Sequence, residues 1–200
     1  MSSPHRGRPS VSSLGVLRQA AQRFVPTYEI EEEAPWALVI KLRDPQGRHP
    51  DLTLRHRHDR RLFFRANYLV VESNIPGDGP PADGELAFRF HGSLRRRKAS
   101  LRWRGSTRGE EWTSRLEEPL VSGLRRIEAV ESLRITWAAE TRTWHLRLKT
   151  LSGSMVGGFM TAMPIAVPLD RKEAEGIISL VDALAATGRG PASAQPPPPD

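Results

Sequence analysis

Residues 151–169, LSGSMVGGFMTAMPIAVPL, carry no charge in a chain of 200 residues that is 26% charged. A membrane-spanning helix needs about twenty consecutive apolar residues, and this run comes close. Gly153, Gly157, Gly158, Pro164 and Pro168 interrupt it, and both residue types oppose a helix interior. The run therefore reads as one or two strands with both faces covered, since such strands lose polar-apolar alternation. Gly157-Gly158 is expected to mark a bulge or bend. Immediately after it, Asp170 and Glu173 have the spacing of a capping box. Behind them Ala174, Ile177, Ile178, Val181, Leu184 and Ala185 fall on one helical stripe, with Gly188 as the stop.

The rest of the chain is expected to add strands to that unit. Ser10 or Ser12 caps a first helix, with Leu14, Leu17, Ala21 and Phe24 as its apolar stripe. Tyr28 to Glu32 reads as a strand. Trp36, Leu38, Ile40 and Leu42 alternate with their neighbours in the next, closed by Asp44-Pro45-Gln46-Gly47, a strong turn signal. Strands follow at Leu52 to His58 and Leu62 to Val71, then a loop from Asn74 to Gly84. Glu85 to His91 and Arg96 to Arg104 make a hairpin around Gly92-Ser93. Thr107 and Glu110 offer a capping box for a second helical region, in which Trp112, Leu116, Leu120, Leu124 and Ile127 recur. Pro119 is expected to kink it or split it in two. Leu133 to Trp137 and Thr143 to Lys149 form a hairpin around Ala139-Glu140.

The fold class that follows is α+β: one antiparallel sheet with two or three helices on one face. Residues 1–9 and 189–200 read as disordered, the latter Pro-rich, and 10–188 as a single domain. TYEIEEEAPWALVIKLRDPQG and SLRITWAAETRTWHLRLKTLSG share an order of strand, turn and Trp-started strand, each after a helix. This raises two helix-plus-sheet pseudo-repeats with halves 10–104 and 107–188.

Charge supplies the functional reading. The formal net charge is +7, and of thirty basic residues only Lys41, Lys98, Lys149 and Lys172 are lysine. Arginine suits phosphate and carboxylate recognition, while an arginine-rich coding composition explains the same excess without function. Strand alternation puts Arg55 and Arg57, Arg89, then Arg96, Lys98, Arg102 and Arg104, then Arg147 and Lys149 opposite the apolar residues of their strands. If these strands share a sheet, its water face is a carpet of cations. Residues 89–108 contain eight Arg or Lys and no acid, a patch that attracts nucleic acid or an acidic protein. Trp103, Phe88 and Phe90 sit on the apolar phase and only Phe63 on the basic one. That argues against single-stranded nucleic acid, which stacks on exposed aromatics.

Catalytic and metal signals are weak. His56 and His58 share a strand face with Asp51 and Asp59 near, but no third ligand has a recognisable spacing. Ser154 in GSMVG lacks the glycine offsets of a nucleophile elbow. No Gly pattern fits a phosphate loop or dinucleotide fingerprint. Without cysteine there is no disulfide, thiolate metal site or Cys nucleophile. The expectation is a non-catalytic binding domain that uses no cofactor or metal. A cytoplasmic setting is expected because MSSPHRGRPS has no apolar run after its charges, and no membrane partner is expected. Two alternatives stand beside it. One is a chaperone-like or scaffolding homodimer. The other is a small-molecule domain with an apolar pocket near 151–169, lined by Met155, Met160 and Met163.

Overall fold

A computed structural model describes residues 11–25, 27–32, 38–61, 64–91, 98–106, 109–158 and 164–188. Side chains at 11, 12, 32, 61, 64, 89–91, 98, 158 and 188 are outside that description. In chain order the elements are α1 (Val11–Gln22), β1 (Glu29–Glu32), β2 (Val39–Arg43), β3 (Leu52–Arg61), β4 (Phe64–Pro76), β5 (Gly84–His91), β6 (Lys98–Gly105), α2 (Glu110–Leu124), β7 (Val130–Ala138), β8 (Thr143–Gly158), β9 (Ile165–Val167) and α3 (Arg171–Gly188). All nine strands join one antiparallel sheet in the order β1-β2-β3-β4-β8-β7-β5-β6, with β9 on the far half of β8. This is the α+β architecture expected from the alternation. β8 and β7 lie between β4 and β5, so both halves of the chain build one continuous sheet.

The helices cover one face. Beneath them lie Ile40 and Leu42, Leu52 and Leu54, Leu69 and Val71, Leu146 and Leu148, Leu133 and Ile135, Leu86, Leu101 and Trp103, all buried. These are every second residue of their strands, and the opposite face carries the polar and charged side chains, with Tyr68, Val70 and Ala87 buried among them. Trp144 anchors one end of the core, its ring centroid 4.9 Å from Trp137, 6.4 Å from Trp103 and 6.3 Å from Trp112. The loop after β4 supplies the indole acceptors: Trp137 Nε1 donates to the Pro80 carbonyl at 2.7 Å and Trp144 Nε1 to that of Asp78 at 3.0 Å. Satisfied indole N–H groups let rings this large sit in the core.

The uncharged stretch makes the irregular joint of the sheet. β4 and β8 are in register on either side of a bulge: Leu69 faces Thr150, yet Asn67 faces Met155. The extra β8 residues bend away at Gly153, whose φ is +76°. A Cβ there would also lie 2.6 Å from Leu69 Cδ2, so conformation and space both require glycine. The bulge comes at Gly153 rather than at the expected Gly157-Gly158. The Leu69 N–H displaced by it is taken by Ser154 Oγ at 2.7 Å, and that hydroxyl donates to the Thr150 carbonyl at 2.7 Å. Ser154 is fully buried and closes the ladder across its defect.

The capping box on α3 forms as its sequence implies. Glu173 N–H donates to Asp170 Oδ1 at 2.7 Å, and Asp170 N–H to Glu173 Oε2 at 3.3 Å. Glu173 does more than cap: it is 4% exposed and its Oε1 accepts from Ser152 Oγ at 2.6 Å and from Glu128 N–H at 3.1 Å. The helix is thereby tied to the bulge and to the approach to β7. Where α2 crosses α3 the backbones meet: a Cβ on Gly123 would lie 3.1 Å from the Gly176 carbonyl, and one on Gly176 2.9 Å from that of Gly123.

Several expectations are corrected. β9 is not covered on both faces, since Ile165 is 65% exposed and Ala166 is exposed. α2 is one helix through Pro119 rather than two. Pro119 lies on the exposed side, where water can reach the carbonyl it deprives of a donor. Gly109 precedes that helix with no side-chain cap hydrogen bond, and Thr107 lies outside the described residues. β2 starts at Val39, after Leu38 with φ +50°, and Trp36 is again outside them. Asn74, Ile75 and Pro76 extend β4 rather than open a loop. On α3 the fully buried stripe is Ala174, Ile177, Leu180, Val181 and Leu184, with Ile178 and Ala185 only partly covered. Gly92-Ser93, the segments 1–9 and 189–200, Met160 and Met163 also lie outside the described residues.

Candidate binding face on the open side of the sheet

The water face is assembled by register. One row crosses all eight strands of the main path: Glu31, Lys41, Thr53, Glu72, Arg147, Arg134, Ala87 and Arg102, each directly opposite the next. Two residues further along the strands, Asn74, His145, Thr136, Glu85 and Arg104 form a second row. Successive side chains alternate faces, so both rows point away from the helices. Strand phase therefore holds for six of the expected cations: Arg55 and Arg57 on β3, Arg102 and Arg104 on β6, Arg147 and Lys149 on β8. Arg89 and Lys98 lie on β5 and β6, where their side chains are outside the description. Arg96 is outside the described residues altogether.

The face is not a uniform carpet of cations. Glu72 sits at its middle and accepts from Arg55 Nη2 at 2.5 Å, with Arg147 Nε 3.3 Å away. Lys149 is paired with Asp59 at 3.0 Å and lies 3.8 Å from the centroid of the Tyr68 ring. Arg134 Nε is 3.5 Å from Glu85, and Arg43 Nη1 is 3.7 Å from Glu31. Arg57, Arg102 and Arg104 are exposed and have no carboxylate partner among the described residues. Two of these three, Arg102 and Arg104, sit together at the β6 end, and Arg57 lies apart on β3. Of the carboxylates, Glu85 is legible from its period-two phase with Arg89, whereas Glu72 shares its phase with Tyr68 and Val70, which are buried.

A groove of about 960 Å³ runs along the two rows. Its charged and polar lining includes Glu31, Lys41, Arg43, Asp51, Thr53, Glu72, Asn74, Arg134, Thr136, His145 and Arg147. Among the described residues no aromatic ring other than the His145 imidazole lines it, so those residues give the groove no stacking platform for bases.

The histidines and Ser154 divide between structure and surface. His56 faces the core, where Nε2 donates to the Gly153 carbonyl at 2.9 Å and Nδ1 is buried without a partner. Burial pushes its pKa below 6.5, against the opposing pull of the Gly153 carbonyl. His58 Nδ1 is 2.9 Å from Asn67 Oδ1. The two imidazoles thus have separate side-chain or backbone partners, and the described residues hold no group of three His, Asp or Glu able to take a metal. His49 Nδ1 lies 2.7 Å from Asp182 Oδ1, fastening the β2–β3 turn to α3. Beside it burial, with Asp182, Asp44 and Asp51 nearby, raises the pKa of the Tyr28 hydroxyl, which donates to the Pro50 carbonyl at 3.1 Å. In the same turn burial works to raise the Asp44 carboxyl, but bonds from the N–H groups of Gln46, His49 and Arg48 hold it below its ordinary value. No helix among the described residues is long and apolar enough to cross a membrane.

Comparison with known proteins bears on the chain as a whole. The model of a family described as a protein of unknown function, DUF3156, matches residues 23–187, from just after α1 to the last turn of α3. No curated protein and no solved structure matches.

Proposed function

We propose a non-catalytic binding role for this chain, which belongs to the DUF3156 family: its open sheet face docks an acidic segment of a partner protein at the β6 end. The observation that carries this is that Arg102 and Arg104, exposed on a terminal strand, have no carboxylate partner among the described residues. Glu85 faces Arg104 across β5 and β6, and elsewhere on the face Glu31, Glu72 and Asp59 alternate with the cations. A nucleic-acid backbone laid along the rows would set phosphates against those carboxylates, whereas a protein segment can match charge residue by residue. The reading is tested by fluorescence anisotropy with a glutamate-rich peptide and, separately, a short DNA duplex. Wild type should bind the peptide more tightly as salt falls, and Arg102→Ser/Arg104→Ser should lose most of that salt dependence. Preferential duplex binding, with a slope near 0.9 per lost phosphate contact, would replace the acidic protein by nucleic acid.

A second reading, self-association through the sheet, draws on the charges of the two terminal strands. β1 reads EIEE and β6 reads KASLRWRG, so their edges are complementary in sign. Sedimentation equilibrium at micromolar concentration decides it, since a purely monomeric chain removes it.

A further inference from the structure

The middle of the open face carries an arrangement that docking at β6 does not use. Arg134 on β7 lies directly opposite Arg147 on β8, and Thr136 directly opposite His145. Directly opposed residues on antiparallel strands are about 4.5–5.5 Å apart at Cα, and like charges so placed weaken a ladder. The protein relieves this pair only partly. Arg134 is 67% exposed and meets Glu85 at 3.5 Å, an ion pair of little weight in water. Arg147 shares Glu72 with Arg55, which holds the same oxygen more closely. Two carboxylates therefore serve three guanidinium groups. Each guanidinium has five N–H donors in a planar fork suited to oxyanions, so donors remain for a ligand. His145 gives Nδ1–H to Asn74 Oδ1 at 2.7 Å, leaving Nε2 without a partner among the described residues. The Thr136 hydroxyl is likewise uncommitted there.

We propose that Arg134, Thr136, His145 and Arg147 hold the phosphoryl group of a small, hydroxylated phosphate monoester. All four line the groove, whose volume of about 960 Å³ lies in the range of small-ligand sites. The remainder of the groove sets the rest of the ligand. Glu31, Asp51 and Glu72 accept hydrogen bonds from ligand hydroxyls, and the lack of an aromatic ring other than His145 among the described lining residues disfavours a base. The same carboxylates disfavour a chain of phosphates. The ligand class is thus a sugar-phosphate-like monoester, bound without chemistry.

Isothermal titration calorimetry of the full chain at low salt tests this with glucose 6-phosphate, inorganic phosphate and glucose. Glucose 6-phosphate should bind, inorganic phosphate more weakly, and glucose not measurably. Arg134→Gln/Arg147→Gln should weaken glucose 6-phosphate binding about tenfold or more, with a melting temperature no lower than that of the wild type, since it removes an opposed like-charge pair. Arg102→Ser/Arg104→Ser should leave it within about twofold, which separates this site from the acidic-partner surface. Should the double Gln variant fail to fold, Thr136→Val and His145→Gln carry the same test and should each weaken binding. The phosphoryl site is overturned by no binding of either phosphate, by wild-type affinity in the groove variants, or by equal loss in the β6 variant. Equal affinity for inorganic phosphate overturns the monoester and leaves free phosphate as the ligand. None of these results touches the peptide titration, which rests on Arg102 and Arg104.

Discussion

Ser154→Ala should destabilise the fold while leaving its surface untouched. The Ser154 hydroxyl makes two bonds, accepting from Leu69 N–H and donating to the Thr150 carbonyl, both at 2.7 Å. Thr150, Leu69 and Ser154 are all 0% exposed, so water cannot replace what alanine removes. A buried donor left unpaired costs about 1–3 kcal/mol, and the carbonyl that loses its only side-chain donor adds up to about 1 kcal/mol. The sum is about 1–4 kcal/mol. With a urea m-value of about 2 kcal/mol/M, the midpoint of unfolding should fall by about 0.5–2 M. Ser179→Ala is the control: its hydroxyl donates to the Glu175 carbonyl at 2.8 Å on the outside of α3, and its loss should stay within about 0.5 kcal/mol. A Ser154→Ala midpoint within error of the Ser179→Ala midpoint would refute the bridging role and reopen a chemical one.

Three further outcomes follow from the same structure. Gly153→Ala places a Cβ at φ +76° and 2.6 Å from Leu69 Cδ2, and should cost about 2–4 kcal/mol by urea unfolding; a neutral result would mean the bulge relaxes freely. Val181→Asp buries an unpaired charge under α3 and should abolish soluble expression or cost several kcal/mol, whereas Ile178→Asp, only partly covered, should be milder; equal effects would contradict the observed helix phase. The depressed pKa of His56 means the folded state binds fewer protons than the unfolded one below pH 6.5. Stability is therefore present above that pH and lost progressively as pH falls from it toward the folded pKa. Thermal melts of His56→Gln, whose amide can still donate to Gly153, should lose less stability as pH falls below 6.5; parallel curves would place the pH sensitivity elsewhere.

What was legible in the sequence followed period two and helix caps. The alternations in LTLRHR, LRWRG and HLRLK placed their leucines and tryptophan in the core and their cations in water, and Asp170 and Glu173 cap α3 as their spacing implies. What was not legible depends on pairing between distant strands. Nothing local says that Glu72 will stand beside both Arg55 and Arg147, since that follows from the β3–β4–β8 order. The opposed Arg134 and Arg147 are likewise created by register across the β7–β8 hairpin. The bulge went to Gly153 because the clash that demands glycine comes from Leu69, 84 positions away in a different strand. Leu180 was passed over on α3 because α2 fills the side it faces, at the Gly123–Gly176 crossing.

The most direct test of the binding face is a map of where an acidic partner touches. Backbone amide shifts of the isotope-labelled chain would be followed by NMR as a glutamate-rich peptide is added. The account predicts that the perturbed amides cluster on Ser100 to Arg104 and Glu85 to Ala87, at the β6 end of the open sheet face. Perturbations gathered on α2 and α3 instead, with those strands unmoved, would contradict it.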